Sequence, residues 1–121
     1  MTLSEVLTEE AFERMLALGE RFERGTAKVI ADSGLGWQVT RLGCRAEYMF
    51  CPTHPRNGAD AAAAGHDDEL KAYMHLYTLN RGVLITPFHN MALMAPQTTE
   101  EDVDLHTAVF REGVVSLLGD A

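Results

Sequence analysis

Apolar and small side chains recur at helical spacing between residues 8 and 33, and this periodicity predicts one long amphipathic helix. Thr8 is suited to cap its N-terminus, and Glu9 and Glu10 would interact favourably with the positive end of the helix dipole. Gly34 predicts the end of the helix. The side chains expected on its buried face are Phe12, Met15, Gly19, Phe22, Thr26 and Val29.

Two strand patterns follow this helix. Residues 37–42 alternate between two faces, and residues 45–51 are rich in Tyr, Met and Phe, as expected of a half-buried strand. Residues 52–65 contain two prolines, an Asn-Gly pair and four consecutive alanines. This composition predicts a surface loop, either with one short helical turn or without any helix.

Two further helices are predicted in the second half of the chain. Residues 67–80 place Leu70, Tyr73, Met74 and Tyr77 on one helical face. The last helix has the clearest start, because Thr98 and Glu101 have the spacing of a capping box. It is expected to run to Gly119.

Residues 83–86 and 91–95 are short apolar segments between these helices, and both predict strands. Pro87 and the polar turn at residues 88–90 join them. The predicted order is therefore α-β-β-α-β-β-α. Short strands with local connections favour an antiparallel sheet of three to four strands with helices packed on one face. We expect a single α+β domain over residues 1–121.

Composition and charge narrow the class of partner. The 121 residues carry a formal net charge of −8 and no basic cluster, which argues against nucleic acid and anionic membranes as partners. No stretch approaches the roughly 20 apolar residues that span a bilayer. Residues 1–10 carry acidic side chains and lack the apolar core of a signal peptide. We therefore expect a cytoplasmic protein that binds neither nucleic acid nor membranes.

Motifs for metal binding and nucleophilic catalysis are weak. Cys51, His54 and His66 come nearest to a ligand cluster, but they lack the regular four-ligand spacing of zinc sites. On one strand Cys44 and Cys51 would lie about 23 Å apart, too far for a disulfide, so we expect two reduced thiols. The sequence contains no Gly-rich phosphate loop and no nucleophile elbow. We predict no metal site and no catalytic residue.

The turn Phe88-His89-Asn90 is the strongest candidate for binding chemistry, because it offers an aromatic ring, an imidazole and an amide to a substrate pocket. A plain hairpin turn, in which Asn90 bonds to its own backbone, explains the same residues. Arg45 lies on a predicted strand and could bind a carboxylate through two parallel hydrogen bonds. A surface salt bridge, for example to Asp104, is the favoured alternative for this arginine.

Three stretches in the right order resemble one enzyme family. Residues 43–50 (GCRAEYMF) match a glycine followed by a strand that ends in Met-Phe or Phe-Phe. Residues 73–87 (YMHLYTLNRGVLITP) resemble a helix leading into Arg-Gly-Val-Tyr-x-x-Pro, and residues 98–104 (TTEEDVD) resemble the helix start His-Thr-x-Glu-Asp-Ile-Asp. The family is the class III aminotransferases, in the branch of glutamate-1-semialdehyde aminomutase and related ω-aminotransferases. The resemblance covers nearly the whole chain.

The resemblance implies a place within a larger enzyme. In that family these segments form the C-terminal small domain of a fold-type I enzyme that uses pyridoxal phosphate. The Schiff-base lysine, the aspartate at the pyridine nitrogen and the phosphate-binding groups belong to a preceding large domain. The only lysines here, Lys28 and Lys71, lie outside that lysine's sequence context. We therefore expect a chain that binds no cofactor alone and depends on the missing large domain, in an enzyme that works as a homodimer.

The resemblance also implies a role for the candidate residues. The family's small domain closes one side of the active site and helps to hold the substrate's carboxylate, which supports Phe88, His89, Asn90 and, less strongly, Arg45 as substrate-binding residues. In the aminomutase branch the turn reads Pro-Ser-x-Phe-Glu, whereas Pro87 is followed here by Phe-His-Asn-Met. Because that glutamate has no counterpart, an aminotransferase with another amino donor or acceptor fits better than an aminomutase.

The alternative hypothesis is a free-standing α+β module that self-associates or binds a small acid through residues 88–90. The two hypotheses differ in the surface they require. A domain of a larger enzyme is expected to expose an apolar patch where the large domain docks, whereas a free-standing module is expected to have a closed, polar surface.

Overall fold

The computed structural model describes residues 2–64, 67–86 and 89–119 of the chain. Within these residues, five helices and three strands form an α+β fold with one antiparallel sheet, which confirms the predicted class. None of the described helices is long and apolar enough to cross a bilayer. In chain order the elements are α1 (Thr2–Glu5), α2 (Glu9–Ser33), β1 (Gln38–Leu42), β2 (Arg45–Met49), α3 (Gly58–Ala64), α4 (Asp68–Leu79), β3 (Met91–Leu93) and α5 (Glu100–Gly119).

The long helix α2 begins and ends as its sequence predicts. The Oγ1 atom of Thr8 accepts a hydrogen bond from the amide of Ala11 at 3.2 Å. Gly34 ends the helix with φ at +71°, a left-handed conformation that glycine adopts without steric cost. The prediction for Phe12 is wrong, since this residue is 45% exposed. The buried stripe begins one position earlier, at Ala11, and a step of one residue turns the next side chain about 100° away.

The sheet has the order β1-β2-β3, and successive side chains along each strand point to its two opposite faces. Tyr48 pairs with Val39 of β1, and Ala46 pairs with Ala92 of β3. Tyr48 and Ala46 are almost completely buried. Their neighbour Glu47 therefore projects from the opposite face of β2, because successive strand residues point to opposite sides. This opposite face carries the candidate site.

Helices α2 and α5 cover the buried face of the sheet. The rings of Tyr48 and Phe110 lie 4.7 Å apart between their centroids, so strand and helix meet directly in the core. The two helices cross closely at Gly25, where an added Cβ would lie only 2.6 Å from Oγ1 of Thr107. The largest fully buried side chains are Tyr48, Phe22, Phe110, Met74, Val29, Val114, Thr26 and Thr78.

The predicted strand at residues 83–86 does not form. After α4 the chain turns at Gly82, whose φ is +86°, and the amide of Val83 bonds back to the carbonyl oxygen of Thr78 at 3.0 Å. The segment reaches β3 through a bond of 3.4 Å from the amide of Thr86 to the carbonyl oxygen of Met91. The amide of Val83 is thus bonded to the end of α4, and the described residues of the segment form no ladder with β3.

Two local boundaries also differ from the sequence prediction. Within the region predicted as a surface loop, Gly58–Ala64 form the helix α3, so the version of the prediction that included a short helical segment is the one observed.

The capping box of α5 lies one residue later than predicted, at Thr99 and Asp102. The amide of Asp102 donates to Oγ1 of Thr99 at 3.2 Å, and the amide of Thr99 donates to Oδ2 of Asp102 at 2.9 Å. Thr98 instead accepts a hydrogen bond from the amide of Ala95 at 2.9 Å.

Candidate functional site

The candidate site is built where β2 meets the turn before β3. The amide of Tyr48 donates to the carbonyl oxygen of Asn90 at 3.1 Å, which fixes this turn against the middle of β2. The amide of Met91 donates to the carbonyl oxygen of His89 at 2.7 Å and tightens the turn further. Since Glu47 pairs with Met91 across the ladder, the side chains of Glu47 and His89 come to lie on the same side of the sheet.

Glu47 links two of the residues predicted from the sequence. Its Oε1 lies 3.5 Å from Nδ1 of His89, and its Oε2 lies 3.3 Å from Nη2 of Arg45. The Glu47 side chain is only 20% exposed, whereas Arg45 and His89 are 48% and 57% exposed. One partly buried carboxylate thus orients an arginine and an imidazole whose outer surfaces remain open to a ligand.

These side chains line a cleft of about 570 Å³. Small residues of α3 and the start of α4 form the other wall, where Nζ of Lys71 lies 3.7 Å from Oδ1 of Asp68. The cleft therefore combines cations and carboxylates with the small alanine side chains of α3, and its volume suits a small organic acid or amino acid. Its lining residues with charged, imidazole or amide side chains are Arg45, Glu47, Asp68, Lys71, His89 and Asn90.

The structure brings together three of the four predicted substrate-binding residues, Arg45, His89 and Asn90. The fourth, Phe88, lies outside the described residues. The salt bridge considered for Arg45 is present, but its partner is Glu47. Asp104 instead accepts hydrogen bonds of 2.7 and 2.8 Å from Arg21.

Sequence reasoning missed Glu47, Asp68 and Lys71. A signal for Glu47 was available, because it lies two positions after Arg45 and therefore on the same face of a strand. Nothing local indicated Lys71 or Asp68, because their approach to the sheet depends on how α3 and α4 pack.

Of the weaker metal candidates, Cys51 and His54 lie among the described residues. The Sγ of Cys51 is buried and lies 3.3 Å from the carbonyl oxygen of Thr53, while His54 is exposed. His66 lies outside the described residues. Across residues 2–64, 67–86 and 89–119, no group of three or more histidine, cysteine or acidic side chains is placed to hold a metal ion. Cys44 and Cys51 are both free thiols.

Comparison with known proteins identifies the architecture. No protein-family model matches the chain. Two crystal structures of a glutamate-1-semialdehyde aminomutase from Pseudomonas aeruginosa PAO1, one of them in complex with PMP, match it with TM-scores of 0.92 and 0.91. Their sequence identity to this chain is 46% over 96% of its length. Over nearly its whole length, the chain is therefore similar in sequence and fold to one portion of a glutamate-1-semialdehyde aminomutase.

A more distant enzyme shares the fold. A β-phenylalanine aminotransferase from Variovorax paradoxus is 22% identical over 98% of the chain, with a TM-score of 0.85. The chain spans about a quarter of these enzymes, covering 25% of the aminomutase and 27% of the β-phenylalanine aminotransferase. The resemblance noted in the sequence is thereby confirmed, and it concerns one portion of a larger enzyme.

The described residues do not fit pyridoxal phosphate as a bound group. Lys28 lies on the outer face of α2 and pairs with Asp32 at 3.0 Å. Lys71 does line the cleft, but the first turn of α4 beside it carries acidic side chains that repel a phosphate. The cleft is therefore suited to the organic end of a ligand, and a phosphate-bearing cofactor requires groups from elsewhere.

Proposed function

We propose that this chain is the C-terminal small domain of a class III pyridoxal-phosphate aminotransferase and that it closes the substrate side of the active site. The observation that carries the proposal is the 46% identity over 96% of the chain to an aminomutase of known structure. The complete enzyme catalyses amino-group transfer between an amino acid or amine and an oxo acid or aldehyde. The remaining three quarters of such an enzyme supply the cofactor lysine and the phosphate-binding groups.

The cleft supplies the recognition chemistry in this proposal. Arg45 binds the substrate carboxylate, because a guanidinium offers two parallel donors to a carboxylate. Glu47 holds Arg45 and His89 in place, and His89 and Asn90 contact the polar part of the substrate. Phe88 completes the proposed set of substrate-binding residues.

Several wider properties belong to the same proposal. Pyridoxal phosphate, when bound in the complete enzyme, supplies the electron sink that activates the substrate's amino carbon. The complete enzyme is a cytoplasmic homodimer with no nucleic-acid or membrane partner. The family resemblance supports the dimer. The net charge of −8 on these 121 residues supports the absence of polyanionic partners.

The turn after Pro87 favours a transferase over a mutase. The aminomutase branch has a glutamate in this turn, and His89, Asn90 and Met91 occupy the region here. A different set of polar groups at the same position alters which amino donor and acceptor fit. We therefore propose that the complete enzyme exchanges amino groups between separate molecules.

The test uses a chimera in which this chain replaces the matching quarter of the P. aeruginosa aminomutase. We expect the chimera to bind pyridoxal phosphate and to transfer amino groups to an oxo acid. In the chimera, Arg45→Ala should raise KM for the oxo acid by about 10-fold or more. This factor corresponds to the free energy of one charge-assisted hydrogen-bonded pair. Arg45→Lys should recover part of this loss. Arg24→Ala, which removes an exposed arginine of α2, is the matched control.

Two results would contradict the proposal. A folded chimera without pyridoxal-phosphate absorbance would overturn the assignment to this enzyme. A chimera that transfers amino groups with the same KM in the Arg45→Ala and Arg24→Ala variants would remove the cleft from substrate binding. Pyridoxal-phosphate absorbance bound to a lysine of the 121-residue chain alone would also contradict the division of roles.

The alternative, a free-standing module that binds a small acid, is favoured by one observation. Arg45 and Lys71 line the cleft within this chain without any contribution from a second domain. Calorimetric titration of the isolated chain with a dicarboxylic acid separates the two hypotheses. Binding at micromolar concentration that Arg45→Ala abolishes would favour the module.

A further inference from the structure

A second cavity, of about 500 Å³, lies between residues 82–86, β3 and the first turns of α5. Most of its wall is apolar, and it reaches the core at Phe22, Ile85 and Val103, each of which is more than nine-tenths buried. The described lining residues with polar side-chain groups are Thr86, Thr98, Asp102 and His106. An apolar space with a few polar groups has the usual make-up of a small-molecule site.

His106 is the most deeply buried of the described polar residues in this wall. Its side chain is 4% exposed, and neither Nδ1 nor Nε2 has a hydrogen-bond partner. Buried polar atoms in native proteins are almost always hydrogen-bonded, because burial removes the bonds that water would make. The other described side-chain atoms in this condition belong to Thr26 and Gln38, and neither residue lines the cavity. The imidazole is therefore the polar group of this wall that a ligand would satisfy.

Two aromatic rings hold the imidazole in place. The ring centroid of Phe22 lies 4.3 Å from that of His106, and the ring centroid of Phe110 lies 5.7 Å from it. The nitrogens of an imidazole bond in the plane of the ring, along its edge. A half-turn about the Cβ–Cγ bond exchanges the two edges and keeps the ring in the same plane. The ring can therefore present a nitrogen to the cavity without losing these aromatic contacts.

The charge state of His106 favours a neutral ligand. Burial lowers the pKa of this histidine to about 3, so the imidazole is uncharged at neutral pH. A neutral imidazole has one N–H donor and one nitrogen that accepts a hydrogen bond. A hydroxyl group can take either role, because it donates and accepts.

Charged ligands fit this wall poorly. Asp102 is exposed and lines the cavity, so its carboxylate would repel an anion. An ammonium group would lose its hydration among the apolar side chains deeper in the cavity. Leu84, Leu93 and Leu105 also line it and are 75%, 62% and 46% exposed, so the space is open to a ligand from solvent and offers apolar contacts to its body.

We propose that this cavity binds a neutral small molecule with an apolar body and a hydroxyl group, and that His106 is the hydrogen-bonding partner of the hydroxyl. The volume accommodates a bicyclic ring system. The cavity shares no described lining residue with the cleft at Arg45. The inference therefore does not depend on the proposed function.

The experiment titrates the 121-residue chain with 2-naphthol and with naphthalene, which lacks the hydroxyl. Binding is followed at pH 7 by NMR of the chain labelled with ¹⁵N in its histidine rings. We expect 2-naphthol to bind with Kd below about 1 mM and to shift the ring nitrogen signals of His106. Naphthalene should bind about 5-fold more weakly, since it lacks one hydrogen bond, and should leave the protonation pattern of these nitrogens unchanged.

Two variants complete the test. His106→Phe keeps a ring in the core and should weaken 2-naphthol binding about 5-fold, with little effect on naphthalene. His75→Phe is the matched control, because His75 lies on α4 and lines neither cavity. It should leave both affinities unchanged. Thermal unfolding establishes that each variant is folded, and the ring nitrogen shifts of the unsubstituted chain test the contact even if His106→Phe does not fold.

Several results would overturn the proposal. Absence of 2-naphthol binding at millimolar concentration would show that the cavity is not a site for this class of ligand. Equal affinities for 2-naphthol and naphthalene, or unshifted His106 nitrogens at saturation, would remove His106 from the contact. Tighter binding of 2-naphthoate or of 2-naphthylmethylamine than of 2-naphthol would show that the site takes a charged ligand instead of a neutral one.

Discussion

The Oε1 atom of Glu47 lies 3.5 Å from Nδ1 of His89, while its Oε2 lies 3.3 Å from Nη2 of Arg45. A single carboxylate on the middle of β2 thus joins a residue of its own strand to a residue of the turn before β3. The arginine and the imidazole are the groups that our proposal assigns to the substrate. Their relative position depends on a residue that need not contact the substrate.

Glu47→Gln should therefore weaken substrate binding through Arg45. The amide keeps the size of the side chain but removes the negative charge that orients the guanidinium. In the chimera we expect KM for the oxo acid to rise about 3- to 10-fold, with a smaller change in kcat. Steady-state kinetics of Glu47→Gln, Arg45→Ala and the double variant should show non-additive effects. Fully additive effects would mean that Glu47 acts independently of Arg45.

The stability of the fold should fall as the pH drops below neutrality because of His106. Burial lowers the pKa of this histidine to about 3, against about 6.5 in the unfolded chain. Below pH 6.5 the unfolded chain binds a proton that the folded chain does not, so the free energy of unfolding decreases as the pH falls towards 3. Between pH 7 and pH 5 the expected loss is about 2 kcal/mol.

Urea titrations at pH 7 and pH 5 measure this loss, and His106→Phe should remove most of it while keeping a ring between Phe22 and Phe110. The carboxyl group of Asp104 has a pKa lowered by its hydrogen bond to Arg21, and the stability it contributes is lost only below about pH 4. The chosen pH interval therefore lies above the range in which the contribution of Asp104 is lost. An unchanged pH dependence in His106→Phe would contradict the assignment.

Thr99→Ala should destabilise the start of α5. The substitution leaves the amide of Asp102 without the hydroxyl acceptor that now lies at 3.2 Å. Loss of such a cap costs about 1 kcal/mol in the free energy of unfolding. Thr99→Ser keeps the hydroxyl and should recover most of the loss, whereas Thr53→Ala, in an exposed part of the chain, serves as the control. Chemical denaturation of the three variants tests the prediction, which fails if the serine variant is as unstable as the alanine variant.

Gly19→Val should separate α2 from the turn between β1 and β2. A Cβ at position 19 would lie 3.0 Å from the carbonyl oxygen of Gly43 and 3.2 Å from Cα of Cys44, and both atoms belong to the backbone. The turn must move to admit a larger side chain, at a cost of about 2 kcal/mol. Gly58→Val is the control, since an added Cβ there meets nothing within 4 Å. Equal denaturation midpoints for the two variants would contradict this close contact.

Local patterns in the sequence were sufficient for the α+β class, the two cap positions at Thr8 and Gly34, and the turn that carries His89 and Asn90. These features depend on backbone conformation and on hydrogen bonds between residues a few positions apart, so the sequence determines them directly. The family could also be predicted, because its motifs keep their order along the chain. Arg45 was recognised as a binding candidate from its residue type alone.

Tertiary structure alone decided three other features. Residues 83–86 have a strand composition but form no strand, and the amide of Val83 bonds to Thr78 at the end of α4 instead of to β3. Phe12 is exposed because the packing of α2 selects the stripe that begins at Ala11. The cleft joins Arg45 and His89 to Lys71 through strand register and helix packing. Such contacts between distant parts of the chain depend on which surfaces are buried together, and no local pattern contains that information.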